Sequence, residues 1–154
     1  MHLCAVGRLR KGPERVLVDD YLARANRIGR ALGLGPTSEH EIDDRKGGGP
    51  ASEAVRLRRA VPQGAVLVAL DERGRALTSP DFAAQLAGWR DAGRGDAAFV
   101  IGGADGLAPD LCESADLVLS FGAMVWPHRL ARVMLAEQLY RAAAILDGTP
   151  YHRV

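Results

Sequence analysis

Hydrophobic and polar positions divide the chain into short apolar runs and longer amphipathic stretches. Leu3–Val6, Ala65–Leu70 and Ala97–Ile101 are continuously apolar, as expected of strands buried on both faces of a mainly parallel sheet. A more polar strand is predicted at Ser38–Ile42, and a further strand is predicted at Asp116–Ser120. Because helical patterns separate these strands, the sequence predicts an α/β fold in which a mainly parallel sheet is flanked by helices.

The stretches between the strands carry apolar residues at three- and four-residue spacing, which is the helical period. The first predicted helix runs from Pro13 to about Leu32, and the apolar face that we expect to cover the sheet comprises Val16, Leu17, Tyr21, Leu22, Ala25, Ile28 and Leu32. Later helices are predicted at Ser52–Ala60, from Ser79 as N-cap to about Ala92, from Pro109, and at Pro127–Asp147. The last helix is apolar on most of its circumference, so we expect it to be buried on more than one side.

Loops at the carboxyl ends of the predicted strands are the first candidates for a ligand site, because parallel α/β sheets bind ligands there. One buried strand ends at Leu70 before the polar turn Asp71–Gly74, another runs into Gly102 and Gly103, and the last runs into Phe121 and Gly122. Glycine loops offer backbone hydrogen-bond groups, which suits an adenine-bearing cofactor held between apolar side chains. The alternative is that the glycines only turn the chain.

Composition limits the classes of protein that remain. The 154 residues, 47% hydrophobic and 25% charged, fit one globular domain. A net charge of +1 argues against coating of nucleic acid by bulk electrostatics, although residues 1–60 hold 12 basic against 8 acidic side chains. Cys4 and Cys112 read as reduced core thiols. The beginning of the sequence does not resemble a signal peptide and no run suits a membrane span, so we expect a cytoplasmic protein.

Several catalytic motifs do not fit the sequence. The loop Gly102–Gly106 reads GGxxG instead of GxGxxG, and neither a GxxxxGK[ST] loop nor a GxSxG elbow occurs. The four histidines form no pair at metal-ligand spacing, so no metal is expected. The glycine-rich segment Asp43–Pro50 is predicted to be mobile, either as a surface linker or as a lid that contacts nucleic acid through Arg45 and Lys46.

Three C-terminal motifs, VIGGADGL, WPHRLARVMLAEQLYRA and TPYHR, resemble the RlmH family of SPOUT-class methyltransferases of bacterial 23S ribosomal RNA. AVGRLRKG and LVALDERGR extend the resemblance over the whole chain. It implies a single SPOUT methyltransferase domain over residues 1–154, with a C-terminal trefoil knot in the cofactor-binding part, about 65–154. It also implies a homodimer that transfers a methyl group from S-adenosylmethionine to N3 of a pseudouridine in the helix 69 loop of 23S RNA in the ribosome.

The resemblance also assigns residues to the two halves of the site. The residues that it implies for the cofactor pocket are Leu70, Gly102, Gly103, Phe121, Gly122, Ala123, Met124, Val125 and Trp126. Those implied to face the target nucleotide are His128, Arg141, Tyr151, His152 and Arg153.

Some of these roles have alternatives. Either His128 or His152 suits the proton acceptor. His128 can equally order the cofactor loop at a helix start, and Arg141 can form an i,i+4 ion pair with Glu137 instead of contacting RNA. At the level of the whole protein, the alternatives are a non-catalytic ribosome-binding or assembly module of the same fold and a methyltransferase for another RNA base.

Overall fold

The structure is a computed structural model that describes residues 1–153, without the side chain of Lys46. Within these residues, five strands alternate with five α-helices, and a short 3-10 helix follows the second strand at Asp44–Lys46. The elements are β1 His2–Val6, α1 Pro13–Gly29, β2 Ser38–Ile42, α2 Gly49–Ala60, β3 Val66–Ala76, α3 Ser79–Asp91, β4 Ala97–Ile101, α4 Pro109–Glu113, β5 Leu117–Ser120 and α5 His128–Asp147.

The strands form one sheet in the order β2-β1-β4-β3-β5, and all four pairings are parallel. The single-domain α/β prediction is therefore confirmed. One core layer joins the sheet to α1, α3 and α5 through side chains such as Val18, Phe82 and Leu135, and the other joins it to α2 and α4 through Leu57 and Leu111. Since every strand points the same way, all five carboxyl ends lie along one edge.

The predicted end of β3 at Leu70 is wrong, because the strand continues through Asp71–Gly74 to Ala76. A bulge separates Leu70 from Arg75, after which Arg75 and Ala76 pair again with β5. Gly74 permits this pairing, since a Cβ there would lie only 2.6 Å from the carbonyl oxygen of Val118. The sequence did not predict this extension, because the second half of the strand is partly exposed and has no apolar run.

Three helix predictions also need correction. The side chain of Thr78, and not that of Ser79, caps α3 by accepting a hydrogen bond from the N–H of Asp81, while Ser79 donates to Gln138 of α5. Helix α1 ends at Gly29 and leaves Val16 66% exposed, so that residue does not belong to the face covering the sheet. Helix α2 begins at Gly49, inside the segment that was predicted to be a loop.

Helix α5 packs between α1 and α3, which confirms that it is buried on more than one side. Leu135 and Leu139 are fully buried, whereas Leu130 in the first turn is exposed. Cys4 and Cys112 are free thiols, and burial raises the pKa of Cys4 to about 11. In residues 1–153 no helix is long and apolar enough to cross a membrane, and no cluster of three or more potential ligands suits a metal ion.

Two sequence predictions fall partly outside what the structure describes. The proposed contact of the Lys46 side chain with nucleic acid lies outside the described atoms, and Val154 lies outside the described residues. Arg45, the other basic residue of that segment, forms a bidentate pair with Asp43, its Nε and Nη2 each lying 3.0 Å from a carboxylate oxygen.

Candidate active site

A cavity of about 750 Å³ opens at the carboxyl-end edge of the sheet. The bulged part of β3, the ends of β4 and β5 and the start of α5 surround it, at the edge where the sequence predicted a ligand site in a parallel sheet. Eight of the nine residues expected in a cofactor pocket line this cavity. They are Leu70, Gly102, Gly103, Phe121, Gly122, Met124, Val125 and Trp126, and the exception is Ala123.

The wall formed by β4 is a tight glycine loop. A Cβ on Gly102 would lie 2.5 Å from the backbone carbon and oxygen of Gly106, so the two backbone segments touch without room for a side chain. The N–H of Gly106 donates to the carbonyl oxygen of Gly103 at 3.2 Å, which closes the turn. Gly103 faces Glu53 of α2 and donates its N–H to that carboxylate at 3.3 Å. Backbone groups thus dominate this wall.

The opposite wall is the loop between β5 and α5, residues 121–127. Ser120 orders its beginning, because the Oγ atom accepts the N–H of Gly122 at 3.1 Å and lies 3.1 Å from the carbonyl oxygen of Glu72. Further along, Met124 and Val125 are 70% and 77% exposed although both line the cavity. Such apolar side chains at an open mouth suit contact with a ligand or with another chain.

His128 is the first residue of α5 and lines the mouth of the cavity. Burial of the ring lowers the pKa of His128, with Arg129 and Arg132 acting in the same direction, while Asp44 and Glu53 oppose them. A lowered pKa favours the neutral imidazole near neutral pH, and only the neutral ring can accept a proton.

The cavity lining carries more acidic than basic side chains. Asp71, Glu72 and Asp105 line it together with Arg73. The Arg73 guanidinium donates to both oxygens of Asp71 at 2.8 Å and lowers the pKa of that carboxyl, so Asp71 stays ionised. This balance of charge suits a ligand that carries positive charge.

Three other predicted site residues form a second cluster around the middle of α5. Tyr151 donates its hydroxyl to Oε1 of Glu137 at 3.0 Å, and Arg141 donates its Nε to the same atom at 2.9 Å. Burial and the bond to Glu137 raise the pKa of Tyr151, so its hydroxyl keeps the proton. Nη1 of Arg141 lies 3.4 Å from Nδ1 of His152, and Arg153 is exposed nearby in sequence. The ion pair between Glu137 and Arg141 that the sequence allowed is therefore present.

The cavity lies at the start of α5, and the second cluster lies around the middle of the same helix. His128 and Arg141 are thirteen positions apart in α5, which corresponds to about 20 Å along the axis at about 1.5 Å per residue. Within one chain, the predicted cofactor residues come together with His128 but not with Arg141, Tyr151 and His152.

The sequence interpretation missed Glu53 at this site, and it placed Asp71 and Ser120 at strand ends without giving either residue a role. Glu53 contacts Gly103 across fifty positions of sequence, and no local pattern reveals such a contact. Asp71 could have been found, because an acidic residue directly after a buried apolar run lies where ligands bind in parallel sheets. Ser120 is the last residue of β5, and the available signal for its role was its place at a strand end two residues before Gly122.

Comparison with known proteins agrees with this fold. A family model described as "Predicted SPOUT methyltransferase" matches residues 1–152. A solved structure of a probable methylase family protein from Haemophilus influenzae superimposes with a TM-score of 0.53 at 15% identity, over 99% of this chain and 70% of that one. The chain belongs to the SPOUT methyltransferase family.

Its curated relatives narrow this assignment. A protein from Dinoroseobacter shibae named ribosomal RNA large subunit methyltransferase H is 71% identical over 152 residues, covering 99% of this chain and 97% of that protein. A protein of the same name from Cereibacter sphaeroides is 68% identical over 154 residues, covering 100% of this chain and 99% of its own length. Within the SPOUT class, the chain is a member of the RlmH family, as its motifs indicated.

Proposed function

We propose that the protein methylates 23S ribosomal RNA at N3 of a pseudouridine in the helix 69 loop, with S-adenosylmethionine as methyl donor. The observation that carries the proposal is the cavity between the glycine loop Gly102–Gly106 and the apolar loop of residues 121–127, in a chain of this family. The names of the relatives support large-subunit ribosomal RNA as the substrate. The RlmH resemblance supports the pseudouridine as the target nucleotide and N3 as the methylated atom.

The cavity residues fit the proposed methyl donor. A volume of about 750 Å³ lies within the usual range for small-ligand sites, about 300–1,000 Å³. Backbone groups of the glycine loop can bind the edge of an adenine, while Leu70, Met124 and Val125 offer apolar contacts to its faces. Asp71 is already paired with Arg73, and the other two acidic lining residues, Glu72 and Asp105, complement the positive charge of a sulfonium compound.

When bound, S-adenosylmethionine supplies a methyl group already activated by the sulfonium. The protein therefore has to hold N3 of the base in line with that methyl group, exclude water and remove the N3 proton. Tyr151 suits stacking on a base and Arg153 suits a phosphate or carbonyl oxygen. His128 or His152 is the proton acceptor, and His128 has the environment that keeps a ring neutral.

A homodimer is part of the proposal, since the two groups of residues are separated within one chain. In a dimer, the C-terminal segment Thr149–Arg153 of one copy can meet the cavity of the other. The exposed apolar residues Val16, Met124, Val125 and Leu130 provide surface for such an interface. The trefoil knot over about 65–154 and a cytoplasmic location complete the proposal.

Two measurements test the function. Calorimetry should show that the protein binds S-adenosylmethionine; lack of binding at millimolar cofactor would contradict the enzyme assignment and favour a ribosome-binding module of the same fold. Ribosomes from a strain that lacks this protein should gain one methyl group when they are incubated with the protein and cofactor, and mass spectrometry of the RNA should place it on N3 of a pseudouridine. A methyl group on another base would contradict the assignment of pseudouridine N3 as the target.

A further inference from the structure

Arg132 is a fully buried arginine on α5, one helical turn after His128. Its Nη2 atom donates to the carbonyl oxygens of Val6 at 3.1 Å and Gly7 at 2.8 Å. Its Nη1 atom donates to Oε1 of Glu39 at 3.1 Å and to Oε1 of Glu41 at 2.9 Å. One guanidinium thus joins α5 to the end of β1 and to β2.

The two carboxylates have further partners. Nη2 of Arg15, on α1, lies 2.7 Å from Oε2 of Glu39, and the N–H of Leu9 donates to Oε1 of Glu41 at 2.7 Å. Leu9 belongs to the loop of residues 7–12, in which Arg8, Arg10 and Lys11 are exposed. The network of Arg132 therefore also fixes the path of this basic loop.

Stability alone is a weak reason for such an arrangement. Burying a charged group costs free energy, and well-packed apolar residues in place of a buried ion pair are often neutral or stabilising. An arginine instead supplies several donors in a rigid fork, which holds its acceptors in one geometry. The network is thus better suited to fixing positions than to stabilising the core.

The network of Arg132 lies beside the mouth of the cavity and holds the residues there in place. A Cβ on Gly7 would lie 3.5 Å from Nε2 of His128 and 3.5 Å from Oδ2 of Asp44, so these side chains meet over the end of β1. Arg132 binds the carbonyl oxygen of that same glycine. Because His128 and Arg132 lie at i and i+4, their side chains lie on the same face of α5.

We propose that Arg132 is a positioning residue for methyl transfer, which holds His128 and the basic loop Arg8–Lys11 in one arrangement beside the cavity. The inference rests on the proposed function, since it assumes that the target nucleotide enters at His128. The loop is the continuation of β1, so a displaced Val6–Gly7 segment would move its three basic side chains relative to the cavity. Arg132 itself is buried and contacts no ligand directly.

The test compares Arg132→Lys with Arg15→Lys. Lysine keeps the charge but cannot span two carbonyls and two carboxylates. Arg15 is the matched control, because its guanidinium pairs with the same two carboxylates, those of Glu39 and Glu41. Among the described residues 1–153, Arg15 does not bind the carbonyl oxygens of Val6 and Gly7. In Arg132→Lys we expect kcat on ribosomes to fall about 10- to 100-fold, as for a small displacement of reacting groups, with KM for the cofactor within about threefold. Arg15→Lys should keep kcat within about threefold, because the end of β1 stays clamped.

A second readout needs neither cofactor nor RNA. NMR of labelled protein should show His128 ring resonances that are unchanged in Arg15→Lys and displaced in Arg132→Lys. Arg132→Met should raise the pKa of His128, since Arg132 lowers it together with Arg129 against Asp44 and Glu53. These NMR measurements do not depend on whether the wild-type protein methylates ribosomes. Failure of the proposed function can therefore be distinguished from failure of the role proposed for Arg132.

Unchanged His128 resonances and unchanged kcat in Arg132→Lys would overturn the inference. If circular dichroism shows that Arg132→Lys does not fold, Glu41→Gln replaces it, because glutamine still accepts the N–H of Leu9 but loses the charge that pairs with Arg132. A fall of about threefold to tenfold in kcat is then expected, because the bond from Leu9 weakens and the basic loop is held less firmly. Wild-type kcat together with unchanged His128 ring resonances in that variant would reject the role of the network around Arg132.

Discussion

At the scale of single residues, the two adjacent glycines of the cavity differ in what occupies the space beside them. Gly102 faces the backbone of Gly106, which cannot move without displacing the loop. Gly103 faces the carboxylate of Glu53, the far end of a flexible side chain. The two positions should therefore differ in their tolerance of a methyl group, although the sequence presents them as equivalent.

Gly102→Ala should weaken binding of S-adenosylmethionine by about tenfold or more, since its Cβ would lie 2.5 Å from backbone atoms and overpacking costs about 1–3 kcal/mol. Gly103→Ala should bind more tightly than Gly102→Ala, because the contact with Glu53 at 3.0 Å can relax. Calorimetry measures both. Gly88→Ala on α3 is the matched control; a Cβ there meets no described atom within 4 Å, and the unfolding free energy should rise by about 0.5–1 kcal/mol. Equal affinities in all three variants would contradict the assignment of the loop.

His128 should also make stability depend on pH. Its folded-state pKa lies below the value of 6.5 for an unperturbed histidine, so the unfolded chain binds the proton more readily. The residue contributes no pH dependence above that value, and the free energy of unfolding falls as pH drops from it toward the folded pKa. His128→Asn should remove this loss. Thermal melts between pH 8 and pH 5 measure it, and the difference at pH 8 isolates the change in packing. An identical pH dependence in the variant and the wild type would contradict the prediction.

At the scale of secondary-structure elements, α5 carries both halves of the candidate site. Its first turn holds His128 beside the cavity, and its middle turns hold Glu137 and Arg141 beside the C-terminal segment. The rings of Tyr140 and Tyr151 are in contact, with centroids 4.5 Å apart and planes tilted by 50°, and the Arg141 guanidinium lies 4.8 Å from the centroid of the Tyr151 ring. Glu137 is the common acceptor that holds this segment against the helix.

Glu137→Gln should loosen the C-terminal segment without disturbing the cavity. Glutamine weakens the charge-assisted bonds from Arg141 and Tyr151, so kcat on ribosomes should fall about tenfold while the cofactor affinity stays within about twofold. Steady-state kinetics and calorimetry separate these effects. Asp20→Asn is the matched control, because it removes the i,i+4 pair of Asp20 with Arg24 on the exposed side of α1 and should leave both quantities unchanged. A parallel loss of cofactor affinity in Glu137→Gln would show that these two parts of α5 are not independent.

Element by element, the sequence predicts what depends on local pattern. The buried strand Ala97–Ile101 and the start of α4 at Pro109 agree with the structure, because an uninterrupted apolar run and a helix-start proline need no tertiary information. The extension of β3 to Ala76 depends on pairing with β5, and the exposure of Val16 depends on which face of α1 meets the sheet. Neither can be read from a single segment.

The same division applies to the site. Residues of the strand-end loops, such as Gly102 and Phe121, come together because parallel strands end at one edge, which the pattern already implied. The contacts of Glu53 with Gly103 and of Arg132 with β1 join distant parts of the chain, so the sequence could not suggest them. The relation of Tyr151 to the cavity depends on the proposed second copy, which no intrachain pattern encodes.

At the scale of the whole molecule, the distance between the two groups of residues makes the dimer an essential part of the proposed mechanism. About 20 Å of helix separates His128 from Arg141, whereas a target base and the methyl donor must be in contact. A two-fold dimer places the same pair of surfaces together twice. Each site would then combine the cavity of one copy with the segment Thr149–Arg153 of the other.

Mixed dimers test this arrangement directly. A Gly102→Ala subunit has a defective cavity but an intact C-terminal segment, and a subunit with Tyr151→Ala and Arg153→Ala has the reverse. The assay uses a cofactor concentration that fills the wild-type cavity but not the weakened Gly102→Ala cavity. If each site draws on both copies, each variant alone should then be nearly inactive, whereas a re-equilibrated equal mixture should recover about one quarter of wild-type activity, since about half of the dimers are mixed and each holds one intact site. Native mass spectrometry verifies that mixed dimers form. A mixture that contains them but stays as inactive as its components would place the whole site within one chain, and a monomer in sedimentation at assay concentrations would reject the dimer itself.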